Sequence, residues 1–347
     1  MIDSAAPRKL LVMELAGLGD NIHLLPALWK LRQRWPDAEL HVMVHVHVIG
    51  LFRLLPWVQR VWGYPASPKP KLAGNWHWGR ELRQQNYDLV LNTTGGDRAS
   101  MLSWLTRAPQ RIGRRPSDGG PRGWSLLFTR VLEVPYWIEP MFSQKLRCAA
   151  LLGCEVSDAD LMTPHFEVAI DPDLRRQAGV APEDDGRYLH LSPFTTSPAR
   201  ELPLPQLAEL ITGLRTALPE LRIALSCAST PRETARLAAL VALLPEAPWR
   251  LWSGLLDVPA LASVIAGAAL NFSGDTGSLH VALMAGTPAV AWFRAHRGQR
   301  EWIPRSPQYR VLVSEAPADA PALPGIDTAA LIDAAKTILE TPSSSRP

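Results

Sequence analysis

Two carboxylates in this chain stand among small residues where an apolar run gives way to a helical pattern. Asp20 lies in Ala16-Gly17-Leu18-Gly19-Asp20-Asn21, after the apolar run Leu10-Leu11-Val12-Met13. Asp275 lies in Ser273-Gly274-Asp275-Thr276-Gly277-Ser278-Leu279-His280, between Ala268-Ala269-Leu270-Asn271-Phe272 and Val281-Ala282-Leu283-Met284. Each reads as strand, tight turn and helix N-terminus, a geometry that aims unpaired backbone N–H groups and a positive helix end at an anion. One such turn is weak support. Two, in separate halves of the chain, predict a ligand held in a cleft between two open α/β sheets.

The elements that must position these turns alternate strand and helix. In the first half, strands are predicted over Lys9–Leu15, Glu39–Val48, Gln59–Tyr64 and Asp88–Asn92. Asn21 to Trp35 forms a helix with Leu24, Leu28, Leu31 and Trp35 on one stripe and Pro26 near its start, where proline costs least. A further helix runs from Phe142 to Leu152, and the Pro- and Asp-rich stretch Ser157–Gly186 follows. In the second half, strands fall at Tyr188–Leu191, Arg222–Leu225, Trp249–Trp252, Asn271–Phe272 and Ala289–Phe293. Helices carry Leu204, Leu207, Ala208, Ile211 and Leu214, then Glu233–Leu244 and Thr328–Leu339. This alternation implies mostly parallel sheets covered on both faces. No repeat of solenoid period is present.

Composition sets the bounds. The 347 residues suit two domains, 47% are hydrophobic and 20% charged, and no apolar run reaches the ~20 residues of a membrane span. With no secretory signal in the first residues, the expectation is a soluble, cytoplasmic protein. Cys148, Cys154 and Cys227 form no CxxC and read as buried thiols. A net charge of +3 is too mild to argue for nucleic acid. Its distribution is uneven: Lys69, Lys71, Arg80, Arg83, Arg98, Arg107, Arg111, Arg114, Arg115 and Arg122 are interleaved with Trp76, Trp78, Trp104 and Trp124. That stretch suits either an anionic acceptor or lipid headgroups, or else a solvated face with indoles in the core.

Three segments in order carry a family resemblance: Leu18-Gly19-Asp20-Asn21-Ile22-His23-Leu24-Leu25-Pro26-Ala27-Leu28, Thr195-Thr196 through Arg200-Glu201-Leu202-Pro203, and Gly274 through Ala282. Together they resemble the heptosyltransferases of glycosyltransferase family nine, the second segment fitting more loosely. The resemblance implies an α/β GT-B fold, with two Rossmann-like domains whose mostly parallel sheets face each other across a cleft. Residues 1–165 would be the acceptor-side domain, 166–186 the connection, 187–340 the donor-binding domain and 341–347 a disordered tail. It further implies inverting transfer of a heptose from a nucleotide-diphosphate sugar, ADP-heptose, to a lipopolysaccharide core or related anionic glycolipid. No metal or other cofactor is expected, and the enzyme would touch the inner face of the membrane transiently.

Such a transfer needs a base for the incoming alcohol and stabilisation of the departing diphosphate. Asp20 is the candidate base, with Gly17 and Gly19 leaving room for a bulky acceptor and His23, Arg114 and Arg115 on the acceptor side. The alternative for Asp20 is simple N-capping of a helix beginning near Ile22. For the diphosphate, Arg200 offers forked donors where the family generally carries Lys, Thr195 and Thr196 offer hydroxyls, and Thr276 and Gly277 offer backbone N–H groups. Asp275 would repel phosphate and is expected to orient the loop or the sugar hydroxyls. His280 reaches a phosphate or Asp275, or is an ordinary helix histidine; Glu233 accepts ribose hydroxyls, or is a first-turn acid favoured by the helix dipole.

Other patterns point elsewhere. His41, His45 and His47 share one face of the second strand, which suggests metal, but no acidic or cysteine partner is fixed by spacing. Asp275-Thr276-Gly277-Ser278 spells the aspartic-protease string only once, in a βαβ context. Gly17-Leu18-Gly19 has Ile22 where a dinucleotide fingerprint needs glycine, and no GxSxG elbow is present. Glu14 stands where the family often has a basic residue, and the basic stretch Arg107–Arg122 is the expected compensation. Two other readings remain: a non-catalytic sugar-nucleotide-binding or assembly protein, and a glycosyltransferase with a protein acceptor.

Overall fold

A computed structural model describes residues 6–65, 72–317, 320 and 323–341. Lys69, Lys71 and nearly all of the expected tail lie outside the described residues. The chain divides into two compact units, one of residues 1–169 with 300–302, the other of residues 170–299 with 303–347.

The first unit is built on six parallel strands: β1 (Lys9–Glu14), β2 (Glu39–His45), β3 (Arg60–Tyr64), β4 (Leu89–Asn92), β5 (Gln110–Arg114) and β6 (Arg130–Leu132). Their spatial order is β3-β2-β1-β4-β5-β6. Leu10 to Met13 are each at most 1% exposed, as a central parallel strand covered on both faces requires. Helices α1 (Leu18–Arg34), α2 (Leu72–Gln84), α3 (Asp97–Leu105), α4 (Met141–Leu151) and the short α5 (Asp158–Met162) complete the unit. The first helix starts three residues earlier than expected, so Pro26 lies in its interior rather than near its start. Burial explains why the helix runs through it: Ile22, Leu24, Leu25, Ala27 and Leu28 are all at most 2% exposed. The second strand ends at His45, and His47 belongs to the 3-10 segment Val46–Leu54.

The second unit repeats the plan. Strands β7 (Tyr188–Ser192), β8 (Arg222–Cys227), β9 (Arg250–Ser253), β10 (Leu270–Gly274), β11 (Ala289–Arg294) and β12 (Tyr309–Ser314) are parallel and ordered β12-β11-β10-β7-β8-β9. Its helices are α6 (Pro172–Gln177), α7 (Leu204–Ala217), α8 (Pro231–Ala242), α9 (Val258–Gly267), α10 (Gly277–Met284) and α11 (Thr328–Glu340). The Leu207, Leu210, Ile211 and Leu214 stripe of α7 packs with Leu331, Ala335 and Ile338 of α11 in one core cluster. Within the sequence assigned to the connection, α6 sits on α9: Arg175 N–H donates to Ser263 Oγ at 3.2 Å, and Ser263 Oγ donates to Asp171 O at 2.6 Å.

In both sheets the order in which strands are added therefore reverses at the centre, between β1 and β4 and between β7 and β10. Ligands of open α/β sheets bind outside the carboxyl ends of the strands at such a switch point. Leu214→Ala, which empties a fully buried site, is expected to lower unfolding free energy by about 2–5 kcal/mol in urea titrations.

Candidate functional site

At the first switch point, β1 ends on Glu14 and the chain turns into α1. Gly17 is the N-cap residue of that helix and Asp20 is its third residue, so Asp20 is not the cap expected for a helix starting near Ile22. Instead its carboxylate reaches back, and Oδ2 accepts the Gly17 N–H at 3.2 Å, satisfying one orphan donor of the helix start. Asn21 closes the turn from beneath: Nδ2 donates to Gly17 O at 2.8 Å, Ala16 O at 3.3 Å and Glu14 O at 3.4 Å. Asp20 is half-buried, and loss of hydration, followed by the negative charge of Glu14, pushes its carboxyl up to about 6 against the opposing pull of Lys145.

Lys145 is a residue that motif reading did not find. It sits on α4, with its side chain 3% exposed, and donates to the Glu14 carboxylate and to Thr93 O. Glu14, 1% exposed, also accepts from Thr93 Oγ1 and from Thr94 Oγ1 at 3.1 Å, and Leu15 N–H donates to Thr94 Oγ1 at 2.9 Å. The charge that pairs with Glu14 is thus Lys145. Beside it, Gln144 takes a hydrogen bond from Arg114 and donates to Glu301, which also accepts the Trp137 N–H at 2.8 Å.

The acceptor-side candidates differ in exposure. Gly17 is exposed and Gly19 half-buried at the turn. Arg114 is 1% exposed, with its guanidinium 3.7 Å from the centre of the Tyr136 ring, whereas Arg115 remains 40% exposed beside Glu133. His23 is buried on α1, stacked on Phe142 at 6.0 Å and edge-on to Trp302 at 5.6 Å. Part of the basic stretch serves structure. Arg111 donates to Ala108 O and Leu127 O, Arg107 lies over the Trp104 ring, and Trp124 is buried; Trp76 is well exposed.

At the second switch point, β10 ends on Gly274 and α10 opens at Gly277 with Thr276 as N-cap residue. Arg200 reaches across, and its Nη1 donates to Asp275 Oδ2 at 2.9 Å. Burial raises the Asp275 carboxyl, with Arg200 and then His296 opposing. Gly274 allows this close approach: a Cβ there would stand 3.0 Å from Thr195 Cγ2 and 3.1 Å from Trp292 Nε1. Thr276 and Gly277 are half-buried, so the helix start is reachable by solvent.

The loop after β7 is held from inside. Thr195 is buried; its N–H donates to Glu201 Oε1 at 2.9 Å and its hydroxyl donates to Ser197 O at 2.7 Å, which leaves Thr196 as the exposed hydroxyl. Glu201 is in turn clamped by Arg232 at 2.8 Å and Arg236 at 2.9 Å. Glu233, at the third position of α8, follows the Thr230 cap, and its Oε2 accepts the Ala228 N–H at 3.0 Å. His280 lies within α10, where burial lowers its imidazole to about 4 and keeps it neutral. Structure thus groups Arg200, Asp275, Thr276 and Gly277 at one strand end, with the Thr195–Thr196 loop against Gly274. Asp20 belongs to the first unit.

His41, buried, places Nδ1 2.8 Å from Tyr87 Oη and Nε2 2.7 Å from Glu39 Oε1, while His45 and His47 stack at 5.6 Å. Among the described residues, no three His, Cys, Asp or Glu side chains are grouped to hold a metal. Also among them, no helix is long and apolar enough to cross a membrane, and all three cysteines are buried and free.

Residues 75–322 match the family model described as glycosyltransferase family 9 (heptosyltransferase). The chain belongs to glycosyltransferase family 9. A relative named lipopolysaccharide core heptosyltransferase OpsX, from Haemophilus influenzae, is 22% identical over 295 residues, covering 85% of this chain and 81% of the relative. Among solved structures, a glycosyltransferase family 9 protein of Veillonella parvula superposes with a TM-score of 0.79 at 18% identity, over 96% of this chain and 97% of that one. The Escherichia coli heptosyltransferase WaaC with ADP gives 0.74 at 20% identity, over 94% and 98%. These likenesses establish the GT-B fold of a family 9 glycosyltransferase for the two six-stranded parallel units.

The raised Asp20 carboxyl has a consequence for stability. Its folded value lies above the ordinary 3.8, so its contribution is fully present below about pH 4 and is lost as pH rises through about 6. Asp20→Asn is therefore expected to flatten that part of the stability profile, read as urea midpoints between pH 4 and 7; parallel profiles for variant and wild type would contradict it.

Proposed function

We propose that this chain transfers a heptose, with inversion and without a metal, from ADP-heptose to the lipopolysaccharide core or a related glycolipid. Family 9 membership and a relative named for lipopolysaccharide core transfer support this reading. The observation that carries the donor assignment is the Arg200–Asp275 pair at the opening of α10. Asp275 holds the guanidinium beside a helix start whose N–H groups and positive dipole suit a diphosphate. Fixed by its partner, Arg200 meets phosphate oxygens with its remaining donors.

Asp20 is the base. A carboxylate whose proton comes off near pH 6 is ionised at neutral pH yet basic enough to accept a proton from an alcohol as it attacks. The acceptor oxygen forms its bond to the anomeric carbon from the face opposite the diphosphate, and its proton passes to Asp20. The bond from the anomeric carbon to the diphosphate oxygen breaks, and ADP leaves with its charge met by Arg200 and the α10 N-terminus. The family match begins at residue 75, so the role of Asp20 rests on its place at the switch point and on its environment. The exposed Arg115 and the backbone of Gly17 and Gly19 serve the anionic acceptor, and the work takes place at the cytoplasmic face of the inner membrane.

Asp20→Ala is expected to lower transfer by roughly 10²–10⁴-fold while leaving ADP affinity within about twofold, measured by radiolabel transfer and calorimetry. Full turnover in that variant would remove Asp20 from the reaction. Arg200→Ala is expected to weaken ADP binding by roughly tenfold or more, since a charge-assisted contact is lost; unchanged affinity would place the diphosphate elsewhere. In a thermal-shift panel, ADP-sugars should stabilise the protein above UDP- and GDP-sugars, and label should partition into the lipid fraction, not the protein fraction.

A further inference from the structure

Beneath the β1–α1 turn lies an ion pair that the transfer step does not use. Glu14 and Lys145 are 131 residues apart, come from β1 and α4, and are 1% and 3% exposed. Burying such a pair is costly unless its remaining polar atoms are satisfied. Here they are: Thr93 and Thr94 donate to Glu14, and Lys145 also donates to Thr93 O. The same turn is then bound from both ends, by Asn21 on the carbonyls of Glu14, Ala16 and Gly17 and by Asp20 on the Gly17 N–H. A shift of Glu14 therefore moves the backbone on which Asp20 is braced.

We infer that the Glu14–Lys145 pair is the positioning device for Asp20, fixing the shape of the β1–α1 turn and the local charge against which the Asp20 carboxylate binds and releases its proton. This inference rests on the reading of Asp20 as general base. Asp20 is faced by the carboxylate of Glu14 from β1 and the ammonium of Lys145 from α4. Arg114 of β5 acts with this pair on the buried Cys148 thiol of α4, and Arg114, Glu14 and Glu301 act together on Tyr136. The carboxylate of Glu14 raises the Asp20 carboxyl more than the ammonium of Lys145 lowers it, so the pair's net influence delays ionisation of Asp20.

Glu14→Gln removes the like charge and keeps the shape. The acidic limb of the kcat/KM profile is expected to move down by about one pH unit, and the Asp20 carboxyl carbon, followed by ¹³C NMR in the ligand-free protein, should titrate lower by the same amount. The double variant Glu14→Gln, Lys145→Met removes both charges and should shift both readouts in the same direction by less. It is the variant to read if the single one, with Lys145 left unpaired, does not fold. Unmoved limb and unmoved carbon in a folded protein that still binds ADP would overturn the inference, whatever happens to the rate. A carbon that shifts while the limb stays put upholds the pair's hold on Asp20 and instead refutes Asp20 as the base.

Discussion

Each sheet reverses its winding once, and that reversal governs where chemistry can sit. In open α/β sheets the loops after the strands diverge where the strand order reverses, which opens a crevice beyond the carboxyl ends of the central strands, here β1/β4 and β7/β10. Polar turns are tolerated there because solvent or ligand can meet their unpaired N–H groups, whereas everywhere else along these strands both faces are packed. Asp20 and Asp275 both follow a central strand by only a few residues, and this common placement is the ground on which they are proposed to act.

The two turns are stabilised by different means. In the first unit the turn stands on buried charge: removing either member of the Glu14–Lys145 pair alone would strand the other, a change on the order of 3–5 kcal/mol. In the second unit the support is neutral. His190, its imidazole lowered to about 4 by burial, sits 2.8 Å from Asn271 Oδ1 and 2.9 Å from Ser226 Oγ, and Ser278 Oγ of α10 donates to the same Asn271 oxygen at 3.2 Å. That network ties the helix opening to β10 without adding a charge beneath it. The difference suits the tasks proposed for the two turns: a base needs its ionisation tuned, while an anion site needs rigid donors and no competing carboxylate. Asp275, the one carboxylate at the second turn, is paired to Arg200.

Much of this was legible in the sequence where a strand is fully buried. The run Leu10–Met13 stands out because burial on two faces leaves it wholly apolar, the α7 stripe because its apolar residues recur at helical spacing, and both turns because small residues surround a carboxylate. Strands β5, β6 and β12 escaped, and so did α9. Gln110-Arg111-Ile112-Gly113-Arg114 and Arg130-Val131-Leu132 are short and charged, and their arginines are accommodated by backbone carbonyls, an aromatic ring and exposure at the sheet edge, which no local pattern announces. Pairing at long range was equally hidden. Glu14 drew attention as a residue of unusual charge, but its partner lies 131 positions away inside a helix whose apolar stripe gives no hint that Lys145 points inward. Thr195 shows the opposite case: its type suggests a phosphate donor, yet its hydroxyl is occupied within its own loop, which only coordinates reveal.

In the proposed reaction the nucleotide diphosphate is taken by the strand ends of the second unit and not by the Asp20 turn. Amide hydrogen exchange with and without ADP tests it most directly. Slowed exchange is expected at residues 195–200 and 276–279, with residues 17–21 unchanged. Protection confined to residues 17–21, with the α10 opening exchanging as in the free protein, would contradict it.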